Sequence, residues 1–243
     1  MTAVPEIDRA SVKSFKDISK VKSNQPFSSR RKKNTDNQIH LVTSCNHFSA
    51  FKKYKIKRES ITNIKGHKFL FQFIGEQSKY YAKFKARPLG DYIVIQDNPK
   101  VHLSDKHFTA VLLHANGLCD FSLRLNERFG PEIIALQFST NVSEEGEQAP
   151  RILTAHLFGE TNNLPNKIKN RTPYETNEGL WQVDLGYGYA ISSIKNCTLV
   201  DEKEKPLVHV RKIEDDTLEI EAIEEFDELR LFAIGIAAFL CKI

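Results

Sequence analysis

The last residues of the chain, Phe226–Ile243, constrain the fold more than any other stretch. Every residue from Leu231 to Cys241 is apolar or glycine, so a helix there has no face for water and must be buried on all sides. It is shorter than the ~20 apolar residues that a membrane-spanning helix needs. We predict a helix from Asp227 to Cys241, with Asp227 as the N-cap and Glu228 in the first turn.

Upstream segments alternate between apolar and polar residues over short stretches, as half-buried β-strands do. Clear examples are Phe69–Phe73, Tyr80–Arg87 and Trp181–Leu185. Asn116-Gly117 predicts a two-residue hairpin turn, because both central residues of a type I′ turn need positive φ. About a dozen such strands predict a mainly β fold, a closed antiparallel β-barrel around the C-terminal helix. An α+β core that contains the helix is the open alternative.

Two parts of the chain differ in composition. Residues 1–36 are polar and rich in serine and lysine, which predicts a disordered or weakly helical tail, whereas residues 37–243 form the predicted barrel domain. The tail contains a basic cluster that suits a nuclear address, an electrostatic contact with phosphates, or plain solvation. Its members are Arg30, Arg31, Lys32 and Lys33.

Charge is distributed unevenly along the chain. Residues 1–100 hold 21 Lys and Arg against 8 Asp and Glu, whereas residues 101–243 hold 14 against 23. A basic half favours an anionic partner such as a membrane surface or nucleic acid, although the same charges also suit one solvated side of a barrel. The four cysteines are scattered without CxxC spacing, and the N-terminal residues show no apolar secretory signal. Both features favour an intracellular protein with reduced thiols.

The sequence shows no pattern of catalytic or metal-binding residues. His102 and His107 lie five residues apart, without an HExxH motif or a cysteine partner. The chain contains no GxSxG elbow, Walker loop or GxGxxG fingerprint. We therefore expect a protein without enzymatic activity, catalytic residues, bound metal or cofactor.

Four C-terminal segments resemble, in order and spacing, segments of the tubby C-terminal domain. They are Ile168–Pro173, Trp181–Gly188, Ser192–Cys197 and Leu231–Phe239, the last similar to the family's terminal FAIALSSF. The resemblance is strongest over residues 160–243 and thin upstream. It implies a barrel of about twelve antiparallel strands around a hydrophobic helix, and no enzymatic activity. It also implies binding of phosphoinositides, mainly phosphatidylinositol 4,5-bisphosphate, at the inner face of the plasma membrane.

The head-group residues of that family do not carry over well. They align with Asp91, Val111, Leu113 and Glu132, which lack the cationic donors that a bisphosphate needs. Either the alignment shifts upstream, or the ligand is lost, or another patch binds it. Our candidate for another patch is Lys83, Lys85 and Arg87, joined by Lys52, Lys53, Lys55 and Lys57 if these fold nearby. A solvated strand surface accounts for the same lysines.

Three functional hypotheses follow from these features. The first is a membrane-associated adaptor that recognises phosphoinositide head groups, in the cytoplasm or at the cytoplasmic face of the plasma or ciliary membrane. The alternative is a protein-interaction or structural member of a ciliary or microtubule assembly that has lost lipid binding and docks protein partners through its tail. The third is a nuclear role that rests on the basic cluster, although we do not expect nucleic acid to be the partner.

Overall fold

A computed structural model describes residues 50–63, 66–76, 78–85, 92–101, 108–142, 148–161, 163–175 and 181–243. The predicted tail with its basic cluster at residues 30–33 lies outside these ranges, as does Arg87. What the sequence predicts for them stays a prediction. In the described part of the chain, no helix is long and apolar enough to cross a membrane.

Within these ranges, fourteen strands precede one C-terminal helix, α1 (Glu228–Leu240). The strands are β1 (Phe51–Asn63), β2 (Gly66–Ile74), β3 (Lys79–Lys85), β4 (Tyr92–Gln96), β5 (Ala110–Ala115), β6 (Asp120–Leu125), β7 (Glu132–Val142), β8 (Gln148–Leu157), β9 (Lys167–Asn170), β10 (Tyr174–Glu175), β11 (Trp181–Gln182), β12 (Cys197–Val200), β13 (Pro206–Glu214) and β14 (Thr217–Ile223).

Twelve of these strands form one closed antiparallel barrel, in the order β1-β14-β13-β12-β9-β8-β7-β6-β5-β4-β3-β2. The ring closes because β1 pairs with β14, where Lys55 lies opposite Glu219, and also with β2, where Lys57 lies opposite Gln72. Strands β10 and β11 form a separate two-stranded sheet. The predicted closed barrel of about twelve strands is confirmed.

Helix α1 is surrounded by the barrel. Residues 229–240 are all buried, and the helix contacts β1 and β14 on one side of the ring and β6 and β7 on the other. Gly235 allows β1 to approach closely, since a Cβ there would lie 2.0 Å from Cδ1 of Ile56. Asp227 caps the helix by accepting a hydrogen bond from the backbone N–H of Arg230 at 2.9 Å. The predicted burial and N-cap are therefore confirmed.

Two buried arginines form hydrogen bonds that join the two ends of α1 to strands of the barrel. At the start of the helix, Nε of Arg230 donates to the carbonyl of Ile133 at 3.0 Å. At its end, Arg151 donates to the carbonyls of Ala238 at 2.9 Å and Cys241 at 2.7 Å. The last carbonyls of a helix have no partner inside the helix, so Arg151 satisfies groups that water would otherwise bind.

The β5–β6 hairpin differs from the predicted two-residue turn. Ala115 pairs with Asp120, so four residues form the loop. Asn116 and Gly117 have the expected positive φ, but Leu118 also adopts φ 70°. Leu118 packs against the core, and this contact holds a conformation that a leucine rarely adopts. The hairpin was predicted correctly and its loop length was not.

Two further differences lie in the C-terminal half. Strand β9 was not evident in the sequence because one of its two inward residues, Asn170, is polar and donates to the carbonyl of Arg151 at 3.2 Å. The strand predicted over Trp181–Leu185 is limited to β11. Beyond β11 the backbone is bound elsewhere, since the carbonyl of Asp184 accepts from the hydroxyl of Thr198 and that of Leu185 accepts from Nε of Arg211 at 3.0 Å.

Candidate anion-binding face

The candidate lysines of β1 lie on the outer surface of the barrel. Tyr54 and Ile56 point into the core and are buried. Because successive side chains of a strand point to opposite faces, Lys53, Lys55 and Lys57 point outward, and all three are exposed. The basic stretch within β1 thus has a cationic outer face.

Strand β3 presents lysines to the same surface. Ala82 and Phe84 are buried, so Lys83 and Lys85 point outward and are half-buried. Strand β2 separates β1 from β3, and the register sets Lys83 level with Glu59 and Lys85 level with Ile61, farther along the strands than Lys53, Lys55 and Lys57. The structure therefore brings Lys53, Lys55 and Lys57 to one surface with Lys83 and Lys85.

Two lysines that the sequence interpretation missed complete this surface. Lys68 of β2 lies directly opposite Lys85, and Lys79 of β3 lies opposite Ile74. The alternation of Phe69, Phe71 and Phe73 already implied that Lys68 faces outward, but not which strands flank it. We call the seven outward lysines the lysine face: Lys53, Lys55, Lys57, Lys68, Lys79, Lys83 and Lys85.

Acidic side chains border the β1 lysines: Glu59 of β1, Glu219 and Glu221 of β14, and Glu214 and Asp216, which line a groove together with Lys57. Glu59 is the acidic residue that β1 itself presents outward. Glu221 and Glu219 of β14 lie opposite Lys53 and Lys55. Both glutamates, however, form ion pairs with Arg211, whose contact with Glu219 is 2.8 Å. Lys53, Lys55 and the other outward lysines of β1 and β2 form no ion pair with any described residue. Their charges are therefore available to an external anion.

Lys52 does not join the lysine face. It belongs to the inward series of β1, at the end of the barrel where α1 begins, and its Nζ pairs with Glu224 at 3.0 Å and Glu76 at 3.4 Å. Hydrogen bonds to these two carboxylates raise the pKa of Lys52. Its charge is already balanced, so we remove it from the candidate site.

A groove of about 640 Å³ lies beside the lysine face. Its lining includes Leu70, Tyr81 and Lys57. Arg58 also lines it, but this guanidinium pairs with Asp216 at 2.6 Å. Because the groove is lined by three carboxylates and two cations, we assign anion binding to the exposed lysines and not to the groove.

The positions aligned with the tubby head-group site do not form a cationic site within the described residues. Val111 is buried at 1% exposure and Leu113 is aliphatic. Glu132 accepts a hydrogen bond from the hydroxyl of Ser122 at 2.6 Å and pairs with Arg124 at 3.7 Å. Arg124, the cation that contacts Glu132, is therefore already paired. Asp91 lies outside the described ranges.

Comparisons with known proteins add no family assignment. No model of a known protein family matches the sequence, and no curated protein matches it. Among the side chains that the structure describes, no group of three or more His, Cys, Asp or Glu is arranged to hold a metal ion.

Proposed function

We propose that this protein is a non-enzymatic, membrane-associated adaptor with a tubby-like barrel that binds the phosphorylated head groups of anionic lipids through its lysine face. The observation that carries the proposal is the column of Lys53, Lys55 and Lys57, exposed and without ion pairs to described residues. Its proposed location is the cytoplasmic face of the plasma membrane or of a ciliary membrane.

The charge on this surface is sufficient for reversible binding. Each lysine or arginine near an anionic membrane contributes about 1 kcal/mol. Four to six engaged lysines therefore give binding that is measurable at low salt and weakens as the ionic strength rises. Phosphate groups, with several acceptor oxygens each, are bound best where several cationic donors lie together, as they do here.

Vesicle co-sedimentation of the full chain tests the proposal. Lys55→Gln combined with Lys57→Gln removes two charges from the lysine face. The loss of about 2 kcal/mol of binding free energy should weaken binding about 30-fold. The matched control is Lys167→Gln with Lys169→Gln, since these two exposed lysines lie on β9, far around the ring from β2. The control should bind like the wild type.

The choice of vesicles separates head-group recognition from simple charge attraction. Phosphatidylcholine vesicles should not bind the protein. Vesicles with phosphatidylinositol 4,5-bisphosphate should bind it more tightly than vesicles with phosphatidylserine of the same total charge. Absence of binding to any anionic vesicle at low salt would overturn the proposal.

A second candidate function, protein interaction within a ciliary or microtubule assembly, is favoured by a separate observation. The three aligned head-group positions that the structure describes supply no free cation, because Val111 is buried, Leu113 is aliphatic and Glu132 is paired with Arg124. In this case the proposed docking element is the tail, residues 1–36. A pull-down with the full chain should then retain a specific partner that a chain lacking residues 1–36 loses, and equal recovery by both would count against it.

A further inference from the structure

Residues 183–196, between β11 and β12, form a loop that lies on the outer face of β13. The hydroxyl of Thr198 donates to the carbonyl of Asp184, and Nε of Arg211 donates to the carbonyl of Leu185 at 3.0 Å. Farther along, the backbone N–H of Ile191 donates to the carbonyl of Lys212 at 2.7 Å. We call this segment the tyrosine loop. Its backbone is held at several points by hydrogen bonds to residues of β12 and β13.

Two glycines allow the tyrosine loop to lie this close to the barrel. Gly186 has φ +68°, and a Cβ there would lie 3.1 Å from Nε2 of His209. A Cβ at Gly188 would lie 2.8 Å from Cζ of Arg211. Because the two glycines lie directly against β13, the side chain between them cannot point toward the barrel, and Tyr187 is 99% exposed. A rigid backbone thus presents an aromatic side chain to the outside.

Exposed apolar groups are concentrated on this loop. Besides Tyr187, Tyr189 is 72% exposed, and Ile194 is also exposed. Large apolar side chains in contact with water are unfavourable unless a partner covers them. Tyrosine in particular combines an apolar ring with a polar hydroxyl, which suits a boundary between apolar and aqueous phases.

The tyrosine loop lies beside part of the lysine face. His209 lies under Gly186 and, in the strand register, opposite Glu221 of β14. Glu221 in turn lies opposite Lys53 of β1. The loop and Lys53 are thus two strands apart, about 10 Å along the surface. Adjacent strands of a closed twelve-stranded ring turn by about 30°, so a plane that touches β14 reaches β13 on one side and β1 on the other.

We propose that the tyrosine loop inserts Tyr187 and Tyr189 into the head-group region of an anionic bilayer, beside Lys53 and Lys55 on the same bilayer surface. This inference rests on the membrane binding proposed above and deepens it. Aromatic side chains are enriched at membrane interfaces, and nearby lysines attract the anionic lipids that surround them. Because the loop is fixed in advance, binding orders few additional groups.

Tryptophan fluorescence tests this insertion in the full chain. Tyr187→Trp, made with Trp181→Phe to remove the native tryptophan, reports on the loop, and the exposure of Tyr187 makes the change harmless to the core. The matched control is Phe129→Trp in the same background. Phe129 is 84% exposed in the turn between β6 and β7, on the far side of the ring from β14. Circular dichroism verifies that both variants are folded.

Vesicles of phosphatidylcholine with phosphatidylserine, with and without brominated phosphatidylcholine, give the measurement. We expect the emission of Tyr187→Trp to shift to the blue on vesicle binding and to lose intensity with brominated lipid, while Phe129→Trp changes in neither respect. Co-sedimentation without quenching of Tyr187→Trp would overturn the insertion and leave the lysine-mediated binding intact. Failure of both variants to co-sediment would overturn both proposals.

Discussion

Replacement of Gly235 by alanine should destabilise the protein although alanine is the better helix former. The substitution gains about 1 kcal/mol of helix propensity. The new Cβ, however, would lie 2.0 Å from Cδ1 of Ile56 and 3.3 Å from Cδ1 of Ile220. An added methyl group in a packed core costs about 1–3 kcal/mol, and the 2.0 Å contact belongs at the severe end of that range. We expect the free energy of unfolding to fall by about 1–2 kcal/mol.

A second substitution tests whether this contact is the cause. Ile56→Val removes the methyl group that the new Cβ would meet, at a cost of about 1 kcal/mol alone. Combined with Gly235→Ala it should restore stability to about that of the wild type, with a favourable coupling of about 2–3 kcal/mol in a double-mutant cycle. Ile220→Val is the matched control and should couple more weakly. Urea unfolding monitored by circular dichroism gives the free energies, and additive effects or a stabilised Gly235→Ala would refute the close approach of α1 to β1.

Two further predictions concern the polar groups under the tyrosine loop. Arg211→Met should cost about 3 kcal/mol in urea unfolding, because Glu219 and Glu221 lose their buried partner; Arg171→Met, at a more exposed ion pair, should cost less than about 1 kcal/mol. Burial lowers the pKa of His209 below its ordinary value of 6.5, and the charge of Arg211 lowers it further. The unfolded chain then binds the proton more readily, so stability should be complete above about pH 6.5 and decline as the pH falls towards the folded pKa. In His209→Gln this part of the decline should disappear, and an unchanged pH profile of unfolding would contradict the assignment.

The barrel and its helix could be predicted because each follows from a local pattern. The apolar run from Leu231 to Cys241 excludes any solvent-exposed helix face, and the strands alternate with period two. The exceptions have physical causes that lie far away in the sequence. Asn170 takes an inward position by donating to the carbonyl of Arg151, and the carbonyl of Leu185 accepts from Arg211 of β13. Neither contact is visible in a local pattern.

The candidate site was predictable only in part, because its membership depends on which strands become neighbours. The outward direction of Lys55 and Lys83 follows from alternation alone. Lys68 lies opposite Ile61 of β1 and Lys85 of β3, a position that depends on the pairing of β2 with both strands. Lys52 belongs to the same basic stretch as Lys55, yet it is balanced by Glu224, a residue distant in sequence.

Lysine reactivity with and without membranes tests the central claim most directly. The full chain is acetylated briefly with an amine-reactive ester, alone and with phosphatidylserine vesicles, and each lysine is quantified by peptide mass spectrometry. We expect anionic vesicles to protect Lys53, Lys55 and Lys57 while Lys167 and Lys169 react as before, and phosphatidylcholine vesicles to protect neither set. Equal reactivity of the two sets in the presence of anionic vesicles would contradict the assignment of the lysine face as the membrane-binding surface.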